Sequence, residues 1–179
     1  MSRPPLKLRP AEAADAVELR RMLRALMVHS GSPSARPIAT AELARHMGGG
    51  WSGRRADIEG VIAERGGRAV GMVLFFPWLS TWRGRLNLYV QDLYVEPEER
   101  GSGLGRLLLA AAAREGRARG CRGLLLAVET TNEPAARFYA RLGFHCLAEE
   151  RHWLLPPRKF SALLRAGGQP RKASRRREG

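Results

Sequence analysis

The 179-residue chain has only two cysteines, Cys121 and Cys146. That is too few for a disulfide framework, so both are read as small core residues of a protein from a reducing compartment. It has no apolar run of ~18 residues, which excludes a membrane-spanning helix. Its first ten residues, MSRPPLKLRP, lack the apolar core of a secretion signal. A cytoplasmic protein is the expectation. The four histidines, His29, His46, His145 and His152, show no close ligand spacing, so no metal is expected. Lysine is scarce: three of the 31 basic residues, the others being arginine. Acids number 17, which leaves a net charge of +14. About half of that excess lies after Leu155, where eight basic residues face a single acid, Glu178. Such a tail reads as a solvated, weakly ordered C-terminus. Phe160 is the one aromatic residue interleaved with its charges, so no specific nucleic-acid partner is expected.

The patterns that are present describe one mixed α/β domain over 1–155, with 156–179 as the tail. LKLRPA alternates like a short strand. Ala13 to Val28 carries a helical stripe at Val17, Leu19, Leu23, Leu26 and Met27. HSGSPSARP is a loop, and TAELARHM is a second helix with Thr40 as its N-cap. Two β-rich runs flank Gly66 and Gly67, a hairpin signal, and WLSTWRG is a longer connection. RLNLYVQDLYV is a strand. Leu104, Leu107, Leu108 and Ala111 form the buried face of a helix that ends at Gly120. GLLLAVET, Gly123 to Thr130, is a buried strand. Asn132 caps another helix, with Pro134 in its first turn, Gly143 after its last, and Ala135, Phe138 and Leu142 on its core face. FHCLAEERHWLL is a last strand or hairpin.

The chemistry concentrates in EERGSGLGRLLLAAAA, Glu98 to Ala113. Three glycines at alternate positions sit between Arg100 and Arg106 where a strand hands over to a helix. A helix N-terminus has unpaired N–H groups and a dipole that favours anions, and glycine lets backbone approach a ligand closely. The loop suits a phosphate or pyrophosphate; on these residues alone it is equally a plain connector. No Lys follows the glycines as a P-loop requires, and the spacing is not the G-x-G-x-x-G of a dinucleotide fold.

The spacing does fit [Q/R]-x-x-G-x-[G/A], at Arg100, Gly103 and Gly105. With LYVQDLYVEPEERGSGLGRLLL and NEPAARFYARLGF at the right separation, the chain resembles the GCN5-related N-acetyltransferase (GNAT) superfamily from about Leu6 to Trp153. FFPWLSTWRGRLNLYVQDLYV, NEPAARFY and the later Glu149, Glu150 and Trp153 bring it nearest to the diamine (spermidine/spermine-type) acetyltransferases. The resemblance implies a single domain with a mixed central sheet, splayed strands and flanking helices. It implies acetyl-CoA as cosubstrate and a primary amine of a small molecule or peptide as acceptor. Backbone groups of Leu93, Tyr94 and Val95 would meet pantetheine and the acetyl carbonyl. The amides of Arg100, Gly101, Ser102, Gly103, Leu104, Gly105 and Arg106 would hold the pyrophosphate, and Asn132 would touch pantetheine. Tyr139 would protonate the leaving thiolate; it also reads as a core aromatic beside Phe138. A homodimer is implied as well.

The resemblance breaks at the base. The diamine enzymes carry Glu-Asp where this chain has Gln91-Asp92, and glutamine cannot accept the ammonium's proton. Asp92 reads as a loop-bracing carboxylate pointing away from Gln91. Glu129, Glu149, Glu150 or bulk water are other choices, and the base stays unassigned. With Gln91 in that place, a non-catalytic acyl-CoA-binding module of the same fold is the competing expectation. Trp51, Trp78 and Trp82 either line an amine pocket or pack.

Overall fold

Two adjacent glycines make the first hairpin. Gly66 and Gly67 have φ of 57° and 78°, the left-handed pair of a type I′ turn. They join β2 (Glu59–Arg65) to β3 (Arg68–Ser80) in a computed structural model that describes residues 3–32, 34–49, 55–148, 153–157 and 159–161. Five strands lie in the order β1-β2-β3-β4-β5, with β1 at Leu6–Pro10, β4 at Arg85–Val95 and β5 at Leu124–Leu126. The first three pairings are antiparallel and β4–β5 is parallel. α1 (Ala16–His29) and α2 (Thr40–Gly48) precede β2; α3 (Leu104–Ala118) crosses from β4 to β5, and α4 (Glu133–Arg141) follows β5. The chain divides into two compact units, Met1–Leu142 and Gly143–Gly179, and all these elements belong to the first.

Each face of the sheet buries its own cluster. On one, Val73, Phe75, Leu88 and Val90 pack with Leu104, Leu108, Leu109 and Ala112 of α3, joined by Phe138 of α4 and Leu142 just after it. On the other, Ile62, Met72, Leu74 and Tyr94 pack with Leu19, Met22 and Leu23 of α1 and Leu43 of α2. A fully buried side chain of this kind contributes about 2 kcal/mol.

Several expectations need revision. α1 starts after a 3-10 turn at Ala13–Asp15, and Val17 is exposed while Met22 is buried. In α3, Leu107 is exposed and Leu109 takes its place in the core. Thr40 is the first helical residue of α2 rather than its cap, which is Ala39. WLSTWRG is half strand: β3 runs to Ser80 because it stays paired with β4 out to Ser80 and Arg85. The strand predicted over Gly123 to Thr130 is limited to Leu124–Leu126, since only these residues keep a partner in β4. Cys121 packs against the core, but Cys146 is exposed. Phe144 to Ala148 and Trp153 to Leu155 form no strand, because neither run has a ladder partner among the described residues. Glu149, Glu150, His152, Trp51 and the tail from residue 162 lie outside the described residues.

Candidate functional site

β4 is paired on both sides at only three of its eleven residues. Leu88, Tyr89 and Val90 face Leu124, Leu125 and Leu126 in β5; beyond Val90 the two strands part. The same place carries a bulge. Leu74 lies opposite Asp92 and Phe75 opposite Val90, so Gln91 has no counterpart in β3. One extra residue shifts the side-chain alternation. Val90 and Leu93 therefore reach the α3 face, while Tyr94 reaches the α1 face.

A cavity of about 750 Å³ occupies the gap. Its walls include Leu93, Tyr94 and Val95 of β4, the glycine loop, and Asn132 and Tyr139 from the β5–α4 side. The structure thus brings the two sequence blocks to one place. Tyr94 enters through its backbone, because its ring is buried on the far face and its hydroxyl donates to Glu96 Oε2 at 2.9 Å.

The loop is shaped for close approach. Gly101 and Gly103 have φ of 77° and 86°, a region L-residues avoid, and a Cβ on either would meet nothing within 4 Å. Gly105 has a different role: its Cβ would stand 3.2 Å from Phe138 Cζ, so it lets α3 and α4 pack. Gly103 is the N-cap of α3, and no side chain caps that end. The first amides of α3 are therefore left for a ligand. Arg100, Gly101, Gly103, Leu104, Gly105 and Arg106 all line the cavity. Ser102 does not; its hydroxyl donates to the Glu99 carbonyl oxygen at 2.6 Å.

The loop is also held from behind. Glu99 is 4% exposed and accepts from Arg65 Nε at 2.8 Å, with Arg3 2.7 Å away. The Arg65 hydrogen bond holds its carboxyl below the usual range. Arg100 donates to the Val95 carbonyl oxygen at 3.1 Å and lies 3.4 Å from His29 Nδ1. His29, with Leu26 and Met27 of α1 and Ser30 and Ser32 beyond it, forms a wall of the cavity.

Asn132 has two possible duties and its oxygen is committed to one. Oδ1 accepts from the Ala135 amide at 3.1 Å and caps α4; the side-chain NH₂ is the group left for a ligand. Tyr139 packs edge-on against Phe138, with centroids 5.1 Å apart, and also lines the cavity. Burial, and secondarily the charge of Asp92, push its phenol up to about 12. It therefore carries its proton at any physiological pH.

Asp92 is not the bracing carboxylate expected. It is half-buried, it lines the cavity, and it has no hydrogen-bond or ion-pair partner among the described residues. Desolvation pushes its carboxyl up to about 6. Gln91 beside it is exposed, and Glu129 also lines the cavity. Trp78 stacks on Tyr89 with centroids 5.3 Å apart. Trp82 is 100% exposed and is not among the residues lining this cavity.

An uncapped glycine-rich helix start beside a strand that leaves its neighbour is a recurrent design, and the family model for GNAT acetyltransferases matches residues 25–144. The chain belongs to the GNAT acetyltransferase family. Among its relatives is the thialysine N-epsilon-acetyltransferase of Bos taurus, 40% identical over 84 residues, 47% of this chain and 49% of that protein. The chain thus spans about half the length of the curated relatives it matches. Its fold is that of solved GNAT structures. An integron cassette protein of V. cholerae superposes with a TM-score of 0.72 at 18% identity, covering 89% of this chain and 97% of that one. An aminoglycoside N-acetyltransferase in complex with CoA gives 0.68 at 18% identity, covering 88% and 97%.

Proposed function

We propose that this GNAT protein is an acetyl-CoA-dependent N-acetyltransferase that modifies a primary amine of a small, diamine-like molecule or a peptide. One observation carries the reading: the cavity opened where β4 leaves β5 holds both the uncapped amides of α3 and the Asp92–Tyr139 pair. The amides of Gly101 and of Gly103 to Arg106, with both arginine side chains, bind the pyrophosphate; those of Arg100 and Ser102 already donate to the Pro97 and Glu99 carbonyl oxygens. Pantetheine lies along the free edge of Leu93 to Val95, where strand-edge backbone groups hydrogen-bond to it, and the Asn132 NH₂ reaches its amides. A thialysine relative is consistent with a lysine-like amine.

The acceptor arrives as an ammonium, which is not nucleophilic. Asp92, ionised above about pH 6, takes one of its protons. The freed nitrogen lone pair attacks the thioester carbonyl, and a backbone N–H of the free strand edge stabilises the oxyanion. The C–S bond then breaks as Tyr139 supplies the proton to the leaving thiolate, and the second nitrogen proton, lost as the amide forms, returns to the Tyr139 phenolate. Gln91 has no part in proton transfer. The availability of Asp92 favours this reading over a catalytically silent acyl-CoA-binding module. Action as a homodimer, implied by the likeness to diamine acetyltransferases, and in the cytoplasm, expected from the two cysteines, belongs to the proposal; no helix among the described residues is long and apolar enough to cross a membrane.

The test is a thermal-shift and turnover screen. Saturating acetyl-CoA is expected to raise the Tm by mass action, and CoA release is expected with at least one amine from a panel of polyamines, amino acids, aminoglycosides and peptides. Tyr139→Phe should bind acetyl-CoA normally and turn over slowly. No Tm shift and no binding by calorimetry would sink the proposal.

A further inference from the structure

A cavity of about 640 Å³ lies at the far end of α3. The acetyl-CoA reading uses the first turn of that helix; this cavity is built on its last turns, about 20 Å along the axis. Ala113, Gly116 and Arg117 of α3 form one side, Arg85 at the start of β4 another, and Cys121 to Leu124 the third, leading into β5. Three arginines line it, Arg85, Arg117 and Arg122, and no acid does. Among the described residues, none of the three has a side-chain hydrogen bond or ion pair. Arg119 differs, although it stands two residues from Arg117. It donates to Glu59 Oε2 at 2.7 Å and lies 3.5 Å from Glu115. These two acids are thus engaged outside the cavity.

The backbone under these arginines is fixed. The amides of Gly120 and Cys121 donate to the Arg117 and Gly116 carbonyl oxygens at 3.1 and 2.9 Å, and the Arg122 amide donates to the Leu86 carbonyl oxygen at 2.8 Å. Arg85 is held in register with Ser80 of β3. The same bonds take up the last carbonyls of α3, which blunts the negative pole of the helix there. Three uncommitted guanidinium groups therefore rise from held backbone around one cavity. Gathered like charges repel one another, and an anion set among them removes that repulsion.

We propose that this cavity is a second ligand site, separate from that of acetyl-CoA, and that it takes a small molecule bearing a phosphate monoester or diphosphate. Each guanidinium offers five N–H donors in a planar fork that matches phosphate oxygens. Three of them suit a group with two or more negative charges; a single carboxylate would engage one fork and leave the others unpaired. The volume lies within the range of small-molecule pockets. Gly116 and Gly123 bring no side chain to fill it, and Ala113, Cys121 and Leu124 give the body of the ligand an apolar contact. The site shares α3 and β4 with the acetyl-CoA cavity but none of its lining residues.

The experiment is calorimetric titration of the full chain with inorganic pyrophosphate at low ionic strength. The start of α3 is another place where pyrophosphate can bind, so every protein carries Gly103→Asp, which closes it. This background is expected to bind one pyrophosphate. Adding Arg117→Ala with Arg122→Ala should weaken binding about 100-fold. Adding Arg36→Ala with Arg114→Ala removes the same charge from exposed positions elsewhere and should weaken it by no more than about threefold. Arg117→Lys with Arg122→Lys keeps the charge and loses the forks, and should bind about tenfold more weakly than the background. All four arginines are exposed, so the fold should survive, which the Tm checks; if the alanine pair at the site lowers the Tm, the lysine pair decides. No binding in the background, equal weakening by the two alanine pairs, or full affinity in the lysine pair overturns the site. A single-stranded oligonucleotide that binds more tightly than pyrophosphate and weakens in the same alanine pair overturns the small-molecule assignment in favour of nucleic acid. None of these results bears on the acetyltransferase reading, which acetyl-CoA binding by the unaltered chain tests separately.

Discussion

The two ends of the cavity are built from different materials. The end at α3 is backbone: two glycines in left-handed conformation and a helix start with no side-chain cap. The end at Asp92 is side chain: a carboxylate without a hydrogen-bond or ion-pair partner among the described residues, and a phenol. α4 sharpens the contrast, because its own N-terminus is closed by Asn132. A helix whose first amides serve the fold is capped from within; a helix whose first amides serve a ligand is left open. The open end tolerates little change in backbone, and the other end tolerates little change in chemistry.

Breaking the side-chain end should have the largest effect. Asp92→Asn is expected to lower kcat about 100- to 1000-fold with an unchanged acetyl-CoA Kd. The pH profile of kcat/KM should show an acid limb near pH 6 in the unaltered protein and none in the variant. The same change should stabilise the fold. Asp92's carboxyl is raised from 3.8 to about 6 by burial, so folding disfavours its ionised form. That penalty is fully present above pH 6 and fades as the pH falls towards 4. Asp92→Asn should therefore gain about 3 kcal/mol at pH 8 and well under 1 kcal/mol at pH 4, measured by urea unfolding at the two pH values.

Giving α3 the kind of cap that α4 has breaks the backbone end. Gly103→Asp places a carboxylate where the pyrophosphate would sit, at a φ that Asp tolerates better than most residues. Acetyl-CoA affinity should fall about 100-fold by calorimetry, with a small change in Tm. Tyr139→Phe comes next, with kcat down about tenfold and the acetyl-CoA Kd unchanged. The smallest effect is the reverse operation on α4: Asn132→Ala should cost about 1 kcal/mol of stability and weaken acetyl-CoA by no more than the one hydrogen bond from its NH₂, about fivefold. If Asn132→Ala weakened acetyl-CoA as much as Gly103→Asp, the contrast between the two helix starts would be wrong.

Much of this was legible in the residues. Glycine at alternate positions between arginines, just before the i, i+3, i+4 pattern of α3, has few uses, and NEPAARFY wrote out a capped helix with Asn at its N-cap and Pro in its first turn. Local chemistry decides such features, so local sequence reveals them. The bulge at Gln91 was not legible. Nothing in RLNLYVQDLYV announces an extra residue; the register against β3 sets it. Simple alternation therefore misjudged which residues of β4 share a face, and Asp92 looked like a brace. The early end of β5 was hidden for the same reason: GLLLAVET is apolar enough to be strand throughout, but a strand stops where its partner turns away. Likewise Trp78 and Trp82 looked alike in sequence, and only the cross-strand neighbour Tyr89 separates the ordered ring from the fully exposed one.

The most direct measurement is a pair of calorimetric titrations, one with acetyl-CoA and one with S-acetylpantetheine, which has the same thioester arm and no pyrophosphate. If the open start of α3 is a pyrophosphate cradle, acetyl-CoA should bind in the micromolar range and S-acetylpantetheine about 100-fold more weakly, with the difference largely gone in Gly103→Asp. Equal affinities for the two ligands, or no binding of acetyl-CoA, would contradict the account.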